Sequence, residues 1–170
     1  MKKTAVFIAL TTLMACAQTS TRHKIVETVT KTFVFTDQGN WHEVKSTFAD
    51  KVKLDYSSFT GKPAATLSAD KIVASWSGFL PGFDSTHHQL GNFIIDQSGT
   101  DIKLSCYGIA THYIKGIKEG PLWAVVGTYD FVLTKSGSGY HISQMKFNYK
   151  YTTGNSGLAA IAAKRAKTKK

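Results

Sequence analysis

The amino-acid sequence predicts an α+β domain: about three N-terminal helices closing one side of a strongly curved, mixed but mostly antiparallel sheet. Three observations carry this reading. Residues 22–80 contain three segments whose apolar groups recur at helical spacing. From residue 88 onward the chain is almost continuous strand, in four long runs. The connections between those runs, SGT, KEGP and SGSG, are short and glycine-rich, as hairpin turns require. Helices laid on one face of such a sheet leave its concave side as a ready pocket.

The first helix is expected in RHKIVETVTKTFVF (22–35), where Ile25, Val29 and Phe33 fall on one stripe. Asp37-Gln38-Gly39-Asn40 breaks the pattern and reads as a turn. Asn40 is suited to cap a second short helix, WHEVKSTFA, whose Trp41, Val44 and Phe48 share a face. VKLDYSSF follows as a strand and TGKP as a turn. A third helix starts at Ser68, with Asp70 in its first turn complementing the dipole and a stripe of Ile72, Val73, Trp76, Phe79 and Leu80. Pro81-Gly82 ends it. The strands expected after it are HQLGNFIIDQ, DIKLSCYGIATHYI, LWAVVGTYDFVLTK and YHISQMKFNYKYT.

The opening MKKTAVFIALTTLMACAQTS is set aside from the fold as a targeting segment. Its apolar run, Ala5 to Met14, is too short for a membrane-spanning helix and suits a signal-peptide core. Leu13-Met14-Ala15-Cys16 resembles the bacterial lipobox. That resemblance implies a signal peptide over 1–15, lipidation of Cys16 and a linker over 16–21. It further implies a membrane partner through the anchor and a periplasm-facing envelope location. Ala17, standing where Asp would mark inner-membrane retention, points to the outer membrane; the alternative is a secreted protein. The domain then occupies 22–157, with a basic tail at 158–170 expected to be solvated and frayed. Cys106 is left as a lone thiol inside the strand-like LSCYGIA, a buried and inert position.

The formal charge of +10 is unevenly placed. Removing two leader lysines and five tail cations (Lys164, Arg165, Lys167, Lys169, Lys170) from 21 basic residues leaves 14 against 11 acidic ones. The body is nearly balanced, so nucleic acid is not an expected partner.

Several pieces together are similar to a known family. They are Asp37 four residues before Trp41, LDYSSF (54–59), THHQLGN (86–92), ATHY (110–113) and GYHISQMKF (139–147). Their order resembles the SnoaL-like branch of the nuclear transport factor 2-like superfamily, and within it the scytalone dehydratases. The resemblance implies a cone-shaped barrel and a site made of Asp37, His88, His112 and Tyr56. An aspartate there orients one histidine, a second histidine lies opposite, and a tyrosine polarises a carbonyl through water. Three positions depart from the pattern: Thr36 stands where the family has a tyrosine, and Gly127 and Tyr129 stand where it has serine and asparagine. A different substrate follows from those departures.

The residue types suit that chemistry independently. Histidine titrates near neutrality and serves as base or acid, while a carboxylate on its far nitrogen fixes the tautomer. Read without the family, Asp37 is a natural turn aspartate and His88 and His112 are core histidines. Tyr56 is equally a packed aromatic, with Asp55 on the outer face. Alternation lets only one of His87 and His88 face inward. No compact ligand motif such as HExxH occurs, so neither a metal nor a cofactor is expected.

The leading expectation is thus a lyase or isomerase acting by His-Asp acid–base chemistry on a small apolar hydroxy- or keto-substrate. The alternative is a non-catalytic envelope lipoprotein binding an apolar molecule or a partner protein. A third reading is a module pairing with copies of itself, as homodimer or homotrimer, because broad open sheets commonly do so.

Overall fold

The computed structural model describes residues 21–97, 101–137 and 139–168. The leader and the Cys16 lipidation site lie outside the described residues. Helix α1 covers 21–38, and its expected stripe is buried: Ile25 and Val29 fully, Phe33 almost so. Thr32 and Thr36 share that face, their hydroxyls donating back to the carbonyls of Thr28 and Thr32. Asp37, expected in a turn, instead belongs to the last turn of α1, which Gly39 ends in the left-handed conformation.

Helix α2 (Trp41–Ser46) is capped by the Asn40 side chain, which accepts from Glu43 N–H. It stops before Phe48, which the helical stripe had included; Phe48 opens strand β1 (Phe48–Asp55). The strand in turn ends before Tyr56, which precedes a single-turn helix α3 (Ser57–Thr60). Asp55 faces outward and accepts the Ser57 N–H in an Asx turn, with Lys146 and Lys53 close enough to favour its charge.

Strand β2 (Ala65–Ser68) pairs antiparallel with β1 and was not expected, since four residues at a sheet edge carry no readable alternation. Helix α4 (Ala69–Ser77) begins at the expected cap, with Ser68 accepting from Lys71 N–H. It ends three residues early, and Leu80–Gly82 form a separate 3₁₀ turn. Pro81 has no N–H to offer residue 77, so the α-helix cannot run through it.

The remaining strands are β3 (Ser85–Asp96), β4 (Ile102–Tyr113), β5 (Leu122–Ser136) and β6 (Gly139–Gly154). The six strands form one sheet in the order β2-β1-β6-β5-β4-β3, parallel only between β1 and β6. Register shifts at Gly91/Ile94, where Asn92 has φ +57°, and at Val126/Gly127 bend the long strands into a cone. That cone is open, with β2 and β3 as free edges, rather than a closed barrel. Its concave side carries the core, while the outer face leaves Tyr107, Ile109 and Tyr151 exposed.

The tail departs most from expectation. Residues Leu158–Thr168 form helix α5, with Leu158, Ala162 and Ala166 buried at four-residue spacing. Ala162 packs so closely on the 3₁₀ turn that a side chain at Gly82 would collide with its carbonyl. Arg165 forms an ion pair with Asp84 just beyond that turn. The cations suggested a solvated tail; the apolar stripe among them docks the helix instead. Among the described residues, no helix is long and apolar enough to cross a membrane.

Candidate active site

The concave face encloses a cavity of about 160 Å³. Phe33 and Thr36 of α1 line it from one side, Tyr56 and Phe59 from the α3 segment, and Trp76, Phe79 and Leu80 from α4 and the turn after it. His88, His112, Trp123 and Tyr129 face it from the sheet. The wall is mostly aromatic carbon, and the polar groups are few.

Strand alternation places His87 outside, exposed, and turns His88 inward. The last turn of α1 brings Asp37 over the start of β3. Its Oδ1 accepts from the His88 ring Nδ1–H at 2.7 Å, and its Oδ2 accepts the His88 backbone N–H at 2.7 Å. Thr86 Oγ1 donates to Oδ1, also at 2.7 Å. The pair is sheltered, the side chains being 10% and 17% exposed for His88 and Asp37. Burial pushes the Asp37 pKa up. Hydrogen bonds from the His88 ring and backbone and from Thr86, with the attraction of His88, outweigh this and hold it below the ordinary 3.8.

His112 stands opposite, its ring centroid 6.1 Å from that of His88 and nearly perpendicular to it. It is stacked against Trp123 at 4.7 Å and packed on Phe83 at 4.6 Å. Its Nδ1–H donates to the Trp123 carbonyl at 3.3 Å. Burial, helped by the neighbouring His88, lowers its pKa to about 4. His112 is therefore neutral at physiological pH. Both histidines spend Nδ1–H on a protein acceptor, which leaves Nε2 of each neutral ring as a lone pair.

Tyr56 lines the cavity from the α3 cap, and its hydroxyl shares a hydrogen bond with that of Tyr129. Burial raises both phenols well above the usual range, so both keep their protons. A Cβ at Gly108 would collide with the Tyr129 ring, so glycine is what admits a tyrosine there. Cys106 is buried, and burial, with Asp130 adding, pushes its thiol to about 12, which leaves it unreactive. Among the described residues no three His, Cys, Asp or Glu side chains gather as a metal site would need.

The structure thus brings three of the expected residues, His88, His112 and Tyr56, to the wall of one cavity, with the fourth, Asp37, hydrogen-bonded to His88 beside it. The reading of the residues gave no role to the Thr86 hydroxyl or to the hydrogen bond between Tyr129 and Tyr56. Thr86 lies two positions before His88, on the same face of the strand, so alternation alone could have singled it out.

The low His112 pKa sets a pH window for stability. Its native value, about 4, lies below the ordinary 6.5, so between those values the unfolded chain binds a proton that the native one refuses. Stability is lost as pH falls from 6.5 to about 4, by on the order of 3 kcal/mol, and the loss then levels off. Asp37, whose pKa is lowered, acts in a separate window, its stabilisation vanishing only as pH falls below the usual carboxylate range. Urea unfolding of wild type and His112→Gln across pH 4–7 should show the difference between them shrink toward acid. Parallel curves would mean that His112 titrates normally.

Solved structures share this fold. A protein from Kribbella flavida, Kfla4162, superposes with a TM-score of 0.78 at 21% identity, covering 84% of this chain and 99% of that one. A scytalone dehydratase candidate from Novosphingobium aromaticivorans gives 0.68 at 19% identity, over 83% and 91% of the two chains. A type 3 hexachlorocyclohexane dehydrochlorinase from Novosphingobium barchaimii gives 0.64 at 12% identity, over 82% and 93%. At such identities these likenesses establish the fold. No curated protein matches the chain by sequence. The family model of the SnoaL-like domain matches residues 17–146, a span holding α1, most of the cavity wall and all four candidate residues, and the chain belongs to that family.

Proposed function

We propose that the protein is a lyase or isomerase of the dehydratase type, acting through its own side chains on a small apolar substrate that carries a carbonyl and a β-hydroxyl. The observation that carries this is the Asp37–His88 pair, hydrogen-bonded at 2.7 Å and set in the wall of an aromatic cavity. Two proteins of similar fold bear the names of eliminating enzymes, one removing water and the other hydrogen chloride. The cavity volume, about 160 Å³, is close to the ~150 Å³ that holds a benzene ring in an apolar core, so a single-ring substrate fits.

In this reading His88 Nε2 takes the proton from the carbon beside the carbonyl, and the C–H electron pair passes into an enolate. Asp37 holds the resulting imidazolium. The Tyr56 hydroxyl donates to the carbonyl oxygen as charge develops there. Collapse of the enolate expels the β-hydroxyl, which takes the proton back from His88 and leaves as water. Neutral His112 cannot supply that proton, since its Nδ1–H is bound to Trp123; its Nε2 accepts a hydrogen bond from the leaving hydroxyl. Returning the proton to another carbon instead makes the same site an isomerase.

The test is a panel of cyclic β-hydroxyketones incubated with the purified protein, followed by the absorbance of the conjugated enone. Product formed by wild type and not by His88→Ala is the expected result. No turnover of any member, together with an apolar molecule retained in the native mass spectrum, would replace catalysis with ligand binding.

A further inference from the structure

We propose that Thr86 is a positioning residue whose hydroxyl sets both the orientation of Asp37 and the basicity of His88. This deepens the acid–base reading above and rests on it. The geometry is specific: Asp37 Oδ2 is occupied by the His88 backbone N–H, while Oδ1 receives two donors, Thr86 Oγ1 and the His88 ring, each at 2.7 Å. All three donors come from residues 86 and 88 of one strand, so the carboxylate is clamped to β3 at three points.

Threonine suits the task because its branched Cβ restricts χ1, holding the hydroxyl in one direction. Thr86 pairs across the ladder with His112, so it belongs to the same rung as the opposing histidine. It does not line the cavity and touches no substrate position. Its effect passes through Asp37.

The consequence is electrostatic. Two donors on one carboxylate oxygen share its negative charge, so Oδ1 pulls less strongly on the His88 proton than an oxygen with one donor would. Thr86 therefore holds Asp37 in place to accept the Nδ1–H without making the imidazolium too stable to give its Nε2 proton back. Removing the hydroxyl frees Oδ1 for His88 alone and strengthens the hold on the charged ring. The titratable groups facing the pair are Asp37 itself from α1, His112 from β4, and the phenols of Tyr56 and Tyr129 across the cavity. His112 is neutral above about pH 4 and both phenols stay protonated, so none of them changes charge near neutrality.

The experiment compares Thr86→Val, which removes the hydroxyl at constant shape, with Thr86→Ser, which keeps it. Nitrogen-15 NMR of the histidine rings follows the His88 titration in the ligand-free protein. Thr86→Val should raise the midpoint by about half to one pH unit, while Thr86→Ser should stay near wild type. Should the valine variant fail to fold, Thr86→Ala removes the same hydroxyl without bulk and is read in the same way. On a turned-over substrate, Thr86→Val should lower kcat about ten- to a hundredfold with KM little changed, and move the acid limb of the pH profile upward. An unmoved His88 midpoint in folded Thr86→Val or Thr86→Ala overturns the proposal. The titration needs no substrate, so it can stand even if no reaction is found, and it can fail while the catalysis survives.

Discussion

Replacing Asp37 with asparagine is expected to cut kcat about 10⁴-fold, the scale of the same change in a Ser-His-Asp triad, while leaving the protein folded. The reason is visible in the three hydrogen bonds. Both carboxylate oxygens accept from donors, Oδ1 from Thr86 and the His88 ring, Oδ2 from the His88 N–H. A carboxamide has one oxygen and one NH₂, so one of those places must set a donor against a donor. If the NH₂ faces the ring, His88 turns over its tautomer and presents N–H rather than a lone pair to the cavity. If it faces the backbone, the strand contact is lost. In either case the charge that stabilises the imidazolium is gone. The loss corresponds to about 5.5 kcal/mol of barrier. His88→Ala should be as damaging, for it removes the base itself. Steady-state kinetics on a substrate from the hydroxyketone panel, beside circular dichroism of each variant, checks both. Turnover within tenfold of wild type in folded Asp37→Asn would end the acid–base reading.

Phe131→Ala is expected to be the costliest core change, removing about 3–5 kcal/mol of stability. Phe131 is 1% exposed on the inner face of β5, stacked on Tyr129 at 5.6 Å and edge-on to Phe33 at 6.4 Å. Those rings are themselves walls of the site, and Phe33 lies 5.3 Å from the His88 ring. Truncation leaves a void that the bent strands cannot close without moving Tyr129 or Phe33. Since domains of this size hold only about 5–15 kcal/mol in total, the variant should unfold at much lower urea. Phe131→Leu should recover more than half of the loss by refilling most of the volume. A cost under about 1 kcal/mol in the alanine variant would show that the core is not centred on this ring.

Much of the fold could be read along the chain because its signals are local. Apolar spacing is a property of neighbours in sequence, and it placed α1 and the beginning of α4. Side-chain caps at Asn40 and Ser68 announced two helix starts, and the Gly-rich connections separated the long strands. Boundaries failed where a periodic run outlasted its element. Phe48 extends a helical stripe, yet the backbone there is already paired to β6, and the ladder wins. The α5 stripe was equally local, but five cations drew the reading toward solvent, and only the groove beside Gly82 shows where those alanines go.

The sequence by itself determined the supply of chemistry: two adjacent histidines of which alternation allows one inward, a third histidine in ATHY, and an aspartate after the first helix. It could not determine that these groups meet. Asp37 and His88 are 51 residues apart, and as local features one is a turn aspartate and the other a strand histidine. Tertiary structure decided the matter by letting α1 run one residue past Asp37, to 38, so that the carboxylate hangs over the start of β3. The fold also decided the state of each group. Burial against Trp123 and Phe83 makes His112 neutral, while three donors from β3 keep Asp37 charged although it is sheltered. A side chain's proton affinity depends on the groups around it, and those come from elements far apart in the chain.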